Sequence, residues 1–394
     1  MRPLKDLVVL DSTQALFGPL ATQILGDLGA EVIKIERPST GDLTRNFATR
    51  YGDYSAYFTS LNRNKKSITL NMTTERGQSV LHELAADADV FVHNFSPGKA
   101  ETFDAKYETL AAENEELIYC SLSGYGEDSP YADRKLFDII AQGESGLMSV
   151  TGTEDGEPVR IGVSIADISG AMTATYAILT ALYHRERTGE GQYIDIALFD
   201  TAFSYMLYHV TNYFATGETP GMLGTKHPNL APYQAVETAD DYLVVGVVSE
   251  SLWPKFCRAV DREEWIDHSQ FGTFGGRTEN REAFDRELEA LFAERPAEEW
   301  IDRLQDAGVP CTPVNDVEDV VNDPHVDARN MIEEIEHPDG DRLKLPGIPV
   351  KFSDLEVDVR LPPPKLGEHT TEVLGDRLGY DEEDLDELAK RDII

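Results

Sequence analysis

Hydrophobic and polar positions along the first third of the chain switch between two periods. Short apolar, β-branched runs at Leu7 to Asp11, Glu31 to Glu36, Lys66 to Asn71, Asp89 to Phe95 and Leu117 to Leu122 each predict a strand. Helical periodicity fills the gaps. One helix starts near Pro19, a favoured early helical residue, and stops at Gly29; another covers about Thr74 to Ala86 and opens on a threonine cap. Strands and helices alternating in this way predict a parallel sheet flanked by helices. Farther on come a long helix from Ser164 to Arg187, a strand from Gln192 to Ala197 and an apolar helix from Leu198 to about Thr216. The long helix carries Ala166, Ser169, Gly170, Ala171 and Ala174 in its first half, and small residues at that spacing allow another backbone to come close.

Punctuation then divides the chain. Residues 217–234 hold three glycines and three prolines with no steady period and read as a linker after a first large-domain segment, 1–216. A smaller domain follows over 235–322, with one strand pattern at Tyr242 to Val248 and helices around Ser251 to Val260, Arg281 to Ala293 and after Pro296. Asp323-Pro324 opens a last segment, 323–394, of strand, proline-rich loop and a short helix from Thr370 to Leu378.

Charge changes the picture more than length does. The 394 residues carry 72 acidic against 35 basic side chains, a net charge of -37, which excludes a basic nucleic-acid footprint. The acids recur along the whole chain, as on a salt-adapted surface. The three cysteines, Cys120, Cys257 and Cys311, are far apart and in no zinc spacing, so a reducing cytoplasm is expected and a disulfide framework is not. The apolar run near the N-terminus is too short for a signal core, and no membrane association is expected.

Several chemistries lack their parts. After the first predicted strand, Ser12 to Gly18 contains one glycine where a dinucleotide fingerprint needs three, and no phosphate loop of the Walker type occurs. The nine histidines form no metal-binding spacing, and Ser123-Gly124-Tyr125-Gly126 has the wrong order for a serine-hydrolase elbow. Asp167 is the carboxylate that stands out, in the first turn of the long helix, where the positive end of the helix dipole is expected to keep it ionised at neutral pH. Spacing alone favours a capping aspartate over a functional one, since acids are ordinary at helix starts.

An ordered set of short motifs spans almost the whole chain. It comprises Val8-Val9-Leu10-Asp11 with Gly18-Pro19, Gly29 to Glu36 followed by Gly41-Asp42 and Arg45, Asn94-Phe95 with Pro97-Gly98, and Ser123 to Gly126 with Pro130-Tyr131. It continues through Asp138, Gln142, Gly146, Asp167, Arg187 to Gln192, His227-Pro228, Pro232 to Gln234, Gly308 to Pro310, Asp323-Pro324 and Gly367 to Thr370. In this set the chain resembles the class III CoA-transferases, whose members include formyl-CoA transferase and carnitine CoA-transferase, with alpha-methylacyl-CoA racemase as a relative.

The resemblance implies an α/β fold: a Rossmann-like parallel-sheet large domain built from both chain ends, a smaller α+β domain from the middle, and a homodimer of interlocked rings. It implies that Asp167 carries the acyl group as an anhydride and then as an aspartyl-CoA thioester. Coenzyme A enters as a thioester substrate, with no tightly bound cofactor and no metal. Backbone amides of the loops containing Leu16, and Gly221 with Gly224, are implied as oxyanion donors, although formyl-CoA transferase has a glutamine where Leu16 stands and a richer glycine lid than Gly221 and Gly224. Arg37, Asn71, Met72, Asn94 and Lys135 are implied as CoA contacts, with Arg63, Lys65 and Lys66 weaker. Phe137 occupies the place of the racemases' proton-shuttling histidine and cannot exchange a proton, which disfavours racemisation; packing in the core is its expected role. Phe137 and Asp138 are assigned to the substrate pocket. Succinyl-CoA as donor and a small dicarboxylate such as mesaconate as acceptor are expected, because salt-adapted members that look similar use them. Arg45, Arg50 and Arg160 are the candidates to fork onto the acceptor's distal carboxylate. An acyl-CoA isomerase and a non-catalytic acyl-CoA-binding subunit are the alternatives.

The acidic surface makes a prediction of its own. Potassium chloride screens self-repulsion, so the thermal unfolding midpoint should climb as salt is raised from dilute buffer. A midpoint independent of salt would show that the charges are already balanced locally.

Overall fold

The structure is a computed structural model and describes residues 1–394 except positions 338, 339 and 341. Six parallel strands form the central sheet: β1 (Val8–Ser12), β2 (Glu31–Glu36), β3 (Lys65–Thr69), β4 (Val90–His93), β5 (Ile118–Ser123) and β6 (Gln192–Ala197). Their order is β3-β2-β1-β4-β5-β6. The order reverses between β1 and β4, and in open α/β sheets the crevice at that reversal, beyond the strands' carboxyl ends, is where ligands bind. The strand boundaries fall within one or two residues of those expected from periodicity.

Both faces of the sheet are covered, so its central strands read as continuous apolar runs instead of alternating ones. Val9, Val32, Val90, Ile118 and Cys120 face one layer, formed by α1 (Phe17–Asp27), α4 (Ile165–Thr188) and α5 (Leu198–Ser204). Leu10, Ile33, Ile68, Phe91 and Tyr119 face the other, formed by α2 (Glu75–Ala85) and two C-terminal helices, α6 (Thr370–Leu378) and α7 (Glu382–Lys390). α3 (Asp138–Glu144) packs on α4 and α5. By length and composition α4 could cross a membrane, but half of its apolar window is buried and Ala166, Ala171, Ala174 and Ile178 are core residues.

The chain ends meet at the sheet's edge. His369 donates its N–H to the Ser67 carbonyl (2.9 Å), and the Thr370 hydroxyl accepts from the Thr69 N–H (3.0 Å). Asn71 donates its N–H to the Ile393 carbonyl (2.7 Å). The open edge of β3 is thereby covered by residues some 300 positions later, which removes a template for intermolecular pairing.

Two compact units result, one of residues 1–147, 161–210 and 324–394, the other of 148–160 and 211–323. The crossing thus comes at 211, where the sequence reading put a linker at 217–234, and 148–160 belongs to the second unit. The expected continuous helix from Leu198 is interrupted at Tyr205 and Met206, and Leu207, at φ +35, restarts it. In the second unit β7 (Tyr233–Glu237), β8 (Tyr242–Gly246) and β9 (Cys311–Pro313) make a three-stranded antiparallel sheet. β7 escaped the periodicity because its inward positions are Gln234 and Val236, and β9 because prolines bracket it.

Among the buried polar residues of the sheet are two lysines. Lys34 of β2 and Lys65 of β3 are completely buried. Lys65 donates to Asp11 (2.9 Å), to Asn62 (3.0 Å) and to the Pro19 carbonyl (2.8 Å), while Lys34 pairs with Asp42 (3.1 Å). Burial alone would push the Asp11 carboxyl up, and the Lys34 and Lys65 ammonium groups overturn that, holding it well below the usual carboxylate range. Lys65→Met should therefore destabilise the fold by about 3–5 kcal/mol, because it leaves Asp11 with a charge deficit it cannot solvate. Chemical denaturation would measure this, and a loss below about 1 kcal/mol would show that Asp11 finds other partners.

Candidate functional site

At the end of β1 the chain leaves the sheet through Thr13, Gln14 and Ala15 before α1 begins, and side chains from below hold each of these residues. Asp11 accepts from the N–H (3.0 Å) and the hydroxyl of Thr13, and Lys34 donates to the Thr13 carbonyl (2.8 Å). Asn94 takes both backbone groups of Gln14: its Oδ1 accepts from the N–H (2.9 Å) and its Nδ2 donates to the carbonyl (2.8 Å). Asp42 Oδ1 accepts from the Ala15 N–H at 3.4 Å. Ala15 is left-handed, with φ +70, which a residue with a Cβ adopts only when its surroundings impose it. Gly18 must be glycine, since a Cβ there would lie 2.3 Å from the Thr13 Cβ.

With the loop fixed, α1 begins with three amides that donate to nothing among the described residues: those of Leu16, Phe17 and Gly18. Free N–H groups at a helix N-terminus suit a developing negative charge. They lie beside the start of α4, because the Phe17 ring is seated on Gly170, where a Cβ would come within 2.6 Å of the ring. The small residues of α4 thus admit this ring, where a close backbone had been expected.

Asp167 lies three residues before Gly170, in the first turn of α4. Its carboxylate accepts no hydrogen bond among the described residues, and burial first, then the Asp138 charge, raises its pKa to about 7. That corrects the expectation that the helix dipole keeps it ionised. Asp138, from the first turn of α3, already occupies the helix's positive end: its Oδ1 accepts from the Ala166 N–H (2.9 Å). Its Oδ2 accepts from Gln142 (2.7 Å), whose own Oε1 accepts from the Ile161 N–H (2.8 Å). The cap therefore comes from another helix and repels the residue beside it.

A tyrosine completes this group. Tyr57, in the short helix Ala56–Leu61, packs edge-on against Phe47 (5.1 Å), and burial first, then Asp167, Asp138 and Asp42, push its phenol above the ordinary value. Its phenol stays protonated among these carboxylates. Nothing in the periodicity marks Tyr57, because only the fold brings it to Asp167.

The other expected site residues divide. Arg37 follows β2 at the sheet's carboxyl end and Lys135 precedes α3; both are exposed, and neither side chain has a partner among the described residues. Asn71 and Met72 also lie past a strand end, but Asn71 holds Thr73 and the Asp392 carbonyl, and Met72 packs on the second core face. Asn94 is spent on Gln14. Arg45 grips Glu36 with two nitrogens (2.8 and 2.6 Å), donates to the Pro364 carbonyl (2.9 Å) and lies 3.8 Å over the Phe58 ring, so its fork is already filled. Arg50 donates to the backbone carbonyls of Arg45 and Asp53. Arg63 and Lys66 are paired with Asp27 and with Glu31 and Glu372, and Lys65 is sealed in the core. Phe137 is 66% exposed, which corrects its core-packing role: as the extended residue before α3 it points outward. Arg160, Gly221 and Gly224 lie in the second unit, and the Gly224 N–H already donates to the Gly152 carbonyl (2.8 Å). Among the described residues no group of three or more His, Cys, Asp or Glu could hold a metal ion.

A half-buried carboxylate with a pKa raised to about 7, a run of amides without acceptors among the described residues at the start of α1, which packs on the same helix through Phe17, and a protonated phenol are suited to nucleophilic chemistry at a carbonyl. Comparison with known proteins agrees with it. The family model described as CoA-transferase family III matches residues 4–370. The human succinyl-CoA:glutarate CoA-transferase is 38% identical over 395 residues, covering 100% of this chain and 90% of the relative. The succinyl-CoA:mesaconate CoA-transferase of Haloarcula marismortui is 37% identical over 391 residues, covering 97% and 98%. The crystal structure of a CAIB/BAIF family protein from Brucella suis superposes with a TM-score of 0.83 at 37% identity, covering 95% of this chain and 99% of that one.

The site predicts a pH profile. Attack needs the ionised carboxylate, so kcat/KM should fall tenfold per pH unit below a midpoint near 7. Asp138→Asn removes a repelling charge and should move that midpoint to lower pH, at a stability cost of about 1–3 kcal/mol from the broken Gln142 arrangement. An unmoved midpoint would remove Asp138 from the electrostatics of the site.

Proposed function

The chain belongs to CoA-transferase family III and is a CoA-transferase, and on that premise we propose that Asp167 carries the transferred group between an acyl-CoA donor and a small carboxylic acid. The Asp167 carboxylate attacks the donor thioester carbonyl and the CoA thiolate leaves, giving a mixed anhydride. The thiolate then attacks the Asp167 carbonyl of that anhydride, releasing the donor acid and forming an aspartyl-CoA thioester. The acceptor carboxylate attacks this thioester, and the expelled thiolate takes the acceptor's acyl group, restoring Asp167. One thioester is exchanged for another, so no phosphoryl donor is consumed. The amides of Leu16, Phe17 and Gly18 supply hydrogen bonds to the tetrahedral oxyanions, and Tyr57 donates to the carboxyl group being attacked. The observation that carries this reading is a half-buried Asp167 that accepts no hydrogen bond among the described residues, in the helix on which the Phe17 ring packs, within a run of amides that donate to nothing among them.

Succinyl-CoA as donor and a dicarboxylate such as mesaconate or glutarate as acceptor are supported by the names of the relatives. Arg37 and Lys135 are the cations open to the CoA phosphates. With Arg45 committed to Glu36, Arg50, which donates to backbone carbonyls among the described residues, is the candidate in the unit of Asp167 for the acceptor's distal carboxylate. A homodimer is supported by the outward faces of α3, α4 and α5, which expose Ile139, Ile140, Met172, Tyr176, Tyr183 and Phe203. An interlocked arrangement of its two subunits is part of the same proposal.

Mass spectrometry after incubation with succinyl-CoA tests the chemistry. The expected result is a hydroxylamine-sensitive mass increase on the peptide containing Asp167, and loss of turnover on the order of a thousandfold or more in Asp167→Asn. Turnover by Asp167→Asn at the native rate, or an adduct on a different residue, would overturn the reading. Deuterium entering the α-carbon of an acyl-CoA without an acceptor would instead reveal an isomerase.

A further inference from the structure

The backbone ladder between β1 and β4 ends at Ser12 opposite His93. One residue later the first chain turns away from the sheet, and there is no further backbone rung. The Asn94 side chain supplies one: it accepts from the Gln14 N–H and donates to the Gln14 carbonyl, as a neighbouring strand would. An amide suits this position because it carries one acceptor and one donor side by side; a carboxylate offers only acceptors and a hydroxyl only one oxygen. Immediately after this rung come Ala15, in its left-handed conformation, and the three unpaired amides at the start of α1. Among the described residues Ala15 itself is held through its N–H to Asp42 at 3.4 Å, a long bond.

We propose that Asn94 is the positioning residue of the reaction: its carboxamide clamps the Gln14 backbone, and the clamp fixes where the Leu16, Phe17 and Gly18 amides point relative to Asp167. The inference rests on the acyl-transfer reading above and replaces a CoA-contact role for this side chain. Because Asn94 reads backbone, the identity of residue 14 is free, whereas residue 94 must present both halves of an amide. Loss of the clamp releases the loop toward less strained backbone, and a displacement of the amides by about 1 Å costs on the order of a hundredfold in rate.

Single-turnover kinetics separate positioning from binding. The rate of adduct formation on Asp167 from succinyl-CoA would be followed by quenched-flow mass spectrometry in the native protein, Asn94→Ala and Asn94→Asp. The dissociation constant for succinyl-CoA would be measured in the same variants carrying Asp167→Asn. Adduct formation is expected to slow about 30- to 100-fold in Asn94→Ala, with the dissociation constant within about twofold of the parent. Asn94→Asp, nearly isosteric and still able to accept from Gln14, should retain slow exchange of the Gln14 amide hydrogen, which Asn94→Ala should lose. A weakened dissociation constant with an unchanged acylation rate would make Asn94 a CoA ligand and overturn the proposal. Unchanged acylation in a folded Asn94→Ala would also overturn it. If the native protein forms no adduct, the acyl-transfer reading itself fails, a result distinct from either.

Discussion

Two lysines without solvent set the terms for this fold. Lys34 and Lys65 lie fully buried in adjacent strands of the central sheet, and an ammonium group there persists only when carboxylates and carbonyls replace its water. Asp11, Asp42, Asn62 and the carbonyls of Thr13 and Pro19 do so. These partners come from the end of β1, the loop after it, the start of α1 and the segment after β2. Satisfying the two charges therefore pins four pieces of chain at one place, the sheet's carboxyl edge. Glu36 extends the same network outward, accepting from Arg45, from the Ser67 hydroxyl and from the Asp42 N–H.

This arrangement explains why the reactive centre can be held in a strained state. Ala15 adopts a conformation costing on the order of 1–3 kcal/mol, and the loop around it leaves three amides unpaired. Hydrophobic contacts are not directional enough to maintain such geometry. Hydrogen bonds from Asp11, Lys34, Asp42 and Asn94 are, and each is anchored in the sheet beneath. Asp167 is the complementary case. Its helix is capped by Asp138 instead of by its own N-cap serine, so the capping charge sits next to Asp167 and opposes its ionisation. The outcome is a carboxyl group poised between protonation states, basic enough to attack and free of hydrogen bonds that would have to break first.

Several cations that look available in the sequence are structural. Arg45, Arg63, Lys65 and Lys66 each have acidic partners in the fold, which is the expected fate of scarce bases in a chain with twice as many acids. Arg37 and Lys135 differ in being exposed, one after β2 and the other before α3, with no ion pair among the described residues. For a phosphate-bearing ligand, a cation without an internal partner matters more than a cation as such.

By itself the sequence determined the parallel sheet, the extent of its strands to within a residue or two, and the family. Those properties are written in period, in β-branched runs and in short motifs, all of which act locally. Tertiary structure alone decided the protonation of Asp167, because burial and the Asp138 charge come from a different helix. It also decided that Tyr57 lies within the electrostatic reach of Asp167, that Asn94 grips Gln14 and that Arg45 belongs to Glu36. Each of these depends on a distance between residues far apart in the chain, and electrostatic and hydrogen-bond energies are functions of that distance, which no local pattern encodes.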